Sequence, residues 1–300
     1  MLRILANDGM DKVAVDYLKG LGHEVVTDHQ AGADLDKAVT EFDVLVVRSA
    51  TKVREALIDV AAAAGKMKLV VRAGVGIDNI DHVYAEEKGI AVRNTPKASS
   101  ASVAELTIAH MFAISRHIHI SNVTMRNGEW NKKAYKGVEL MGKTLGVIGF
   151  GRIGQEVGQR ARALGMDVIY TDKHVHLDHP QYKKVEMDEL IEKSDFITLH
   201  IPFLGAPSIG EAEFAKMKDG VRLVNVARGG VVDESALLKA LDNGKVAAAA
   251  LDVFEEEPTK SKEIYTHPNI SLTPHIGAST DEAQLRIGIE TYETILDFFK

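Results

Sequence analysis

The sequence contains no cysteine. Disulfides, thiolate nucleophiles, iron–sulfur clusters and cysteine-ligated zinc are therefore excluded together. The absence accords with a reducing compartment. Aromatic side chains are few, with a single tryptophan, Trp130. No apolar run approaches the ~20 residues that a membrane-spanning helix needs. The opening segment 1–6 meets Asn7-Asp8-Gly9 too soon to serve as a signal peptide. A cytoplasmic location is expected. No long basic tract is present and the formal charge is −7, so neither nucleic acid nor membrane is expected as a partner. Solenoid-period repeats and low-complexity segments are also lacking.

With 300 residues, the chain has room for two domains whose cores need no cross-link. Short Val/Ile/Leu runs at 2–6, 24–27, 44–47, 69–71 and 90–93 predict strands, with helices at 10–20 and 53–64 among them. Continuous apolar runs mark strands buried on both faces, as in parallel sheets. The stretch 98–120 breaks this rhythm and reads as helical. A second series of strands follows at 144–148, 167–171, 196–199, 221–226, 246–251 and 270–272, with a helix at 153–164, and 281–300 again reads as helix. The alternation predicts an α/β protein of two doubly wound parallel-sheet domains. The first domain is assigned 1–97 and 281–300, the second 98–280.

Gly149-Phe150-Gly151-Arg152-Ile153-Gly154 is a G-x-G-x-x-G turn between a predicted strand and a predicted helix. In that setting it reads as a Rossmann dinucleotide site. Gly149 permits the tight turn, Gly151 lets a pyrophosphate approach the backbone, and Gly154 allows close helix–strand packing. Asp172 follows the next strand. It suits the adenosine ribose hydroxyls and repels a 2′-phosphate, so NAD is the expected cofactor rather than NADP.

Asn225-Val226-Ala227-Arg228-Gly229-Gly230, the segment 251–258 ending Glu255-Glu256-Glu257-Pro258, and Pro274-His275-Ile276-Gly277 each follow a predicted strand. Carboxyl ends of strands line the ligand crevice of such sheets. An arginine, an acid and a histidine would meet there. A histidine can exchange an alcohol proton while hydride moves to a nicotinamide. A carboxylate orients it, and an arginine grips a substrate carboxylate. Taken singly, these residues would read as an ion-pair arginine, a solvated acidic run and a core histidine; their order argues otherwise. His174, His176 and His179 read as a polar surface loop, and no metal is expected.

The ordered trio resembles the signatures of the D-isomer-specific 2-hydroxyacid dehydrogenases. That resemblance implies a catalytic Arg228, Glu257 and His275, the glutamate being the one directly before Pro258. It also implies further NAD contacts by Arg152, Ile153, His200, Pro202, Ala227, Asp252 and Gly277. A flavodoxin-like substrate-binding domain, a small-molecule substrate and a homodimer through the coenzyme domain come with it, the 98–130 region including Trp130 being the expected contact.

Two further strand ends carry positive charge. Arg48-Ser49 closes one; Arg72-Ala73-Gly74-Val75-Gly76 closes another. Gly74 and Gly76 let backbone N–H groups approach a carboxylate. Arg48 and Arg72 suit a second anionic group such as phosphate, or else simple surface ion pairs. These segments resemble the 3-phosphoglycerate dehydrogenase branch of the family. The reaction so implied is oxidation of D-3-phosphoglycerate to 3-phosphohydroxypyruvate, the first step of L-serine biosynthesis. A glyoxylate/hydroxypyruvate reductase or a D-lactate dehydrogenase is the alternative, and an NAD-sensing corepressor or scaffold the alternative of another class. Ser99 stands where many relatives carry asparagine, and the loop after Pro202 lacks their Leu-Thr-Pro pattern. Longer relatives append serine-binding domains; no residues follow the tail helix here, so control by serine is not expected.

Overall fold

Branched aliphatic runs form parallel strands throughout the computed structural model, which describes residues 1–177 and 179–300. The chain divides into two units, Met1–Ser99 with Ala278–Lys300, and Ser100–Gly277. In the first unit lie β1 (Arg3–Ala6), β2 (Glu24–Val26), β3 (Val44–Val47), β4 (Leu69–Arg72) and β5 (Ala91–Asn94). Their order is β2-β1-β3-β4-β5, all parallel, the flavodoxin-like arrangement. Successive residues alternate between two buried faces. Val44 and Val46 pack with Ile4 and Leu69, whereas Leu45 and Val47 pack with Leu57 and Ile58. Burial on both faces is why these strands read as unbroken apolar runs. Helix Asp281–Phe298, capped by Thr280 accepting from the Ala283 N–H at 3.1 Å, adds Ile287 and Ile295 to this core.

The second unit contains β6 (Thr144–Ile148), β7 (Asp167–Thr171), β8 (Lys183–Lys184), β9 (Phe196–Leu199), β10 (Val221–Asn225), β11 (Val246–Leu251) and β12 (Ile270–Leu272). Their order is β12-β11-β10-β9-β6-β7-β8, again parallel, which is the Rossmann arrangement. The direction of winding reverses between β6 and β9, the switch point where doubly wound sheets hold ligands. One face buries Leu145, Val147, Phe150, Tyr170 and Phe196 with helix Ser100–Arg116; the other buries Ile148, Ile197, Leu199 and Leu223. Leu145 is fully buried, so its truncation to alanine would cost about 2–5 kcal/mol.

The structure adds helices that the sequence reading did not assign, Ala33–Ala38, His82–Glu87, Met187–Lys193, Glu211–Lys216, Glu234–Asp242 and Lys262–Thr266, and differs from it at two further places. The helical stretch 98–120 is two helices, Ser100–Arg116 and Ile118–Arg126, broken at His117 with a left-handed φ of 55°. The short edge strand β8 was not expected, because two lysines carry no periodicity.

Candidate active site

The turn after β6 is built around a backbone shape that only glycine takes easily. Gly149 has φ of 89°, and a β-carbon there would lie 2.5 Å from the His200 carbonyl oxygen. A β-carbon on Gly154 would overlap the Gly149 carbonyl, so the helix Arg152–Ala163 sits close against the turn. At Gly151 a β-carbon would meet nothing within 4 Å. The fold itself does not require glycine there; the space beyond it is open. The helix begins at this point without a side-chain cap, so its first N–H groups and positive dipole end face that space. Arg152 is exposed, and Ile153 packs partly into the core.

Asp172 sits beyond the end of β7. Its Oδ2 accepts from the Phe150 N–H at 2.7 Å, and Oδ1 accepts from the N–H groups of His174 and Val175 at 2.8 and 2.9 Å. Burial pushes its pKa up, but these backbone donors outweigh that and hold it below the usual carboxylate range. One lone pair of Oδ2 remains for an outside donor. His200 follows β9, and burial pushes its imidazole down to about 3, so the ring is neutral. Nε2 lies 3.0 Å from Thr198 Oγ1. Nδ1 is buried with no partner among the described residues. The His200 backbone abuts the turn at Gly149, and its orphaned ring nitrogen is a polar group that a bound ligand could satisfy. These residues fit a dinucleotide.

The expected catalytic residues lie at the ends of β10, β11 and β12. Asn225 shapes the first of these ends. Its Nδ2 donates to the Arg228 carbonyl at 2.9 Å, and its Oδ1 accepts from the Ala227 N–H at 3.1 Å. Arg228 Nη1 donates to the Ala227 carbonyl at 2.7 Å. Glu257 Oε1 accepts from the Phe254 N–H at 3.2 Å, and His275 Nδ1 lies 2.7 Å from Glu257 Oε2. Burial raises the Glu257 pKa, but His275, the Phe254 N–H and the charge of Arg228 together hold it below its ordinary range. A carboxylate only accepts, so Nδ1 carries a proton and Nε2 is left to exchange one with a substrate. His275 has φ of 54°, a left-handed shape uncommon outside glycine. Asp252, buried at the end of β11, accepts from the N–H groups of Ile276 and Gly277 at 2.8 and 2.9 Å.

All the expected catalytic and cofactor residues thus fall at carboxyl ends of strands in the second sheet, Pro202 after β9 among them. The expected substrate residues fall at carboxyl ends in the first sheet. Asp8, almost wholly buried, accepts from the N–H groups of Arg48 and Thr51 at 2.7 and 3.0 Å. Asn79 donates to the carbonyls of Arg48 and Thr51, both at 2.8 Å. This brace holds Arg48 and Ser49 after β3, and among the described residues the Arg48 guanidinium has no hydrogen-bond or ion-pair partner. After β4, the N–H groups of Val75 and Gly76 have no intramolecular partner among the described residues. Arg72 folds back on its own loop. Its Nη2 lies 3.4 Å from Ser49 Oγ, and Nη1 occupies the place a Gly74 β-carbon would take. Ser99 is buried. His174 and His176 are exposed, and His176 Nδ1 lies 3.2 Å from the Lys184 ammonium; part of that loop lies outside the described residues.

Asp8, Asn79 and Asn225 carry none of the expected roles, yet each fixes a loop that does. Their signal in the sequence was faint: single polar residues at or near strand ends, indistinguishable there from turn formers.

Comparison with known proteins identifies the family. Residues 108–277 match the D-isomer specific 2-hydroxyacid dehydrogenase, NAD binding domain. The chain is 49% identical over 300 residues to the hydroxypyruvate reductase of Thermotoga maritima, covering 98% of this chain and 97% of that one. It is 46% identical over 301 residues to the D-3-phosphoglycerate dehydrogenase of Methanocaldococcus jannaschii, covering 98% of this chain but 57% of that longer protein. Among solved structures, a glyoxylate reductase from Paecilomyes thermophila superposes with a TM-score of 0.88 at 33% identity, covering 98% of this chain and 93% of that one. Among the described residues, no helix is long and apolar enough to cross a membrane. The chain belongs to the D-isomer specific 2-hydroxyacid dehydrogenase family, as an NAD-dependent enzyme of that family.

Proposed function

We propose that this enzyme reduces a short 2-keto acid, hydroxypyruvate or glyoxylate, with NADH, and runs the reverse oxidation of the D-2-hydroxy acid. The observation that carries the chemistry is the 2.7 Å pairing of His275 Nδ1 with Glu257 Oε2. NADH, when bound, supplies a hydride to the carbonyl carbon. His275 Nε2 delivers the proton to the carbonyl oxygen, and Glu257 orients the ring and offsets its charge. Arg228 pairs with the substrate carboxylate and polarises the carbonyl oxygen. Gly149, Gly151, Arg152, Ile153 and Gly154 would hold the pyrophosphate, Asp172 the ribose, and His200, Pro202, Ala227, Asp252 and Gly277 the remainder of the cofactor. The N–H groups of Val75 and Gly76, with Arg48 and Ser49, would bind an anion, Arg72 shaping Gly74 and its loop.

An unphosphorylated substrate is supported by the near end-to-end match to a hydroxypyruvate reductase and by Arg72, whose guanidinium is turned onto its own loop. The second reading, oxidation of D-3-phosphoglycerate, is favoured by the Arg48 guanidinium, which has no partner among the described residues, and by the 46% identical dehydrogenase. Steady-state rates with hydroxypyruvate, glyoxylate and 3-phosphohydroxypyruvate decide between them. The proposal expects the unphosphorylated acids to have the higher kcat/KM. A preference for the phosphorylated acid would establish the second reading. So would an Arg48→Ala variant whose KM rises about 10–150-fold for that acid alone, the value of a charge-assisted hydrogen bond. We also propose a homodimer through the coenzyme-binding unit, because Ile118, Val123, Met125 and Trp130 are left exposed there. Sedimentation should give twice the chain mass, and Val123→Asp should halve it.

A further inference from the structure

His110 has no part in the chemistry above. It lies mid-helix in Ser100–Arg116, 3% exposed, in a helix that buries Val103, Ala104, Met111 and Ile114. A buried imidazole destabilises a fold unless its ring nitrogens are hydrogen-bonded. Both are. Nε2 lies 2.9 Å from Thr273 Oγ1, and Nδ1 lies 3.2 Å from Ser271 Oγ. Thr273 Oγ1 lies 2.6 Å from Asp252 Oδ1. The direction of each bond follows. The Asp252 carboxylate accepts, so Thr273 gives it its single hydroxyl proton and accepts in turn from His110 Nε2–H. Nδ1 then accepts from Ser271. Burial lowers the His110 pKa, in keeping with a neutral ring that donates on one side and accepts on the other.

The far end of this chain holds His275. Asp252 accepts the N–H groups of Ile276 and Gly277, the two residues that follow it. The left-handed backbone of His275 persists only where its surroundings over-determine it. We infer that His110 is a positioning residue for His275, fixing through Thr273 and Asp252 the backbone that carries the acid–base ring. The inference rests on the role proposed for His275.

His110→Leu removes the chain's first donor. Thr273→Val breaks it in the middle at similar volume. His110→Gln keeps an N–H within reach of Thr273. The test measures kcat for hydroxypyruvate reduction by NADH, its pH profile and the melting temperature of each variant. His110→Leu and Thr273→Val should each lower kcat about 2–12-fold, the value of one neutral hydrogen bond. Both should move the pH profile, because the facing of His275 on Glu257 changes, and the double variant should lose no more than either alone. His110→Gln should restore kcat to within about twofold, even where its melting temperature stays low. Wild-type kcat and pH profile in folded His110→Leu or Thr273→Val would overturn the inference, as would losses that multiply or a glutamine that rescues nothing. If His110→Leu does not fold, Thr273→Val carries the same test. His275→Ala, run in parallel, separates the two levels. Turnover by that variant removes the role of His275 and this inference with it. A dead His275→Ala beside unperturbed His110→Leu and Thr273→Val overturns the inference alone.

Discussion

Glu257→Gln keeps the shape of the side chain and removes its charge and one acceptor. Glu257 receives two donors, His275 Nδ1–H at 2.7 Å and the Phe254 N–H at 3.2 Å. Glutamine offers a single oxygen for both. With that oxygen on His275, its amide NH2 opposes the Phe254 N–H. Reversed, the NH2 meets His275 Nδ1, which must then accept, and the ring proton moves to Nε2 with no charge beside it. Either way the ring is a poorer acid for a carbonyl oxygen. The charge-assisted bond is worth about 1.5–3 kcal/mol, so kcat for keto-acid reduction should fall about 10–150-fold. Both side chains keep roughly a third of their surface exposed, and solvent screening places the loss toward the lower end. The ionised Glu257, held below its ordinary range by His275 and the Phe254 N–H, no longer contributes its charge to the pair, so the pH profile of reduction should move. NADH absorbance gives kcat across pH, and NADH fluorescence gives cofactor affinity, which should not change. A variant with kcat within about twofold of wild type and the same pH profile would refute this reasoning.

Asp172→Ala should weaken NAD binding and narrow the preference over NADP, read as kcat/KM with each cofactor; an unchanged ratio would remove Asp172 from the ribose. The folded Asp172 pKa lies below the unfolded value of about 3.9, so its stabilisation is complete above roughly pH 4 and lost as pH falls through the folded value. Denaturant midpoints measured against pH should therefore fall off less steeply below that point in Asp172→Asn than in wild type. Gly149→Ala places a β-carbon 2.5 Å from the His200 carbonyl at φ of 89°, and should abolish NADH binding or folding. Wild-type NADH affinity in a calorimetric titration would contradict it.

Much of this was legible in the sequence because the signals were local. Runs such as Val44-Leu45-Val46-Val47 are buried on both faces and so declare a parallel strand. The glycine turn needs a backbone shape that only one residue type supplies. What could not be read was tertiary. His117 breaks a helical pattern by its own backbone angle, which no periodicity shows. Arg48 and Arg72 look alike as strand-end arginines. The structure leaves the Arg48 guanidinium without a partner among the described residues and turns the other onto Gly74. Nothing in the sequence singles out His110, because its partners Ser271, in β12, and Thr273, just beyond it, lie far along the chain.

The central claim is that His275 moves the substrate proton in an NADH-dependent reduction, and His275→Ala tests it most directly. The measurement is kcat for hydroxypyruvate together with NADH affinity on the same preparation. The account predicts a fall in kcat of about 10²–10⁴-fold with NADH affinity unchanged, because the ring acts on the substrate and not on the cofactor. Near-normal turnover, or a loss explained wholly by weaker NADH binding, would contradict it.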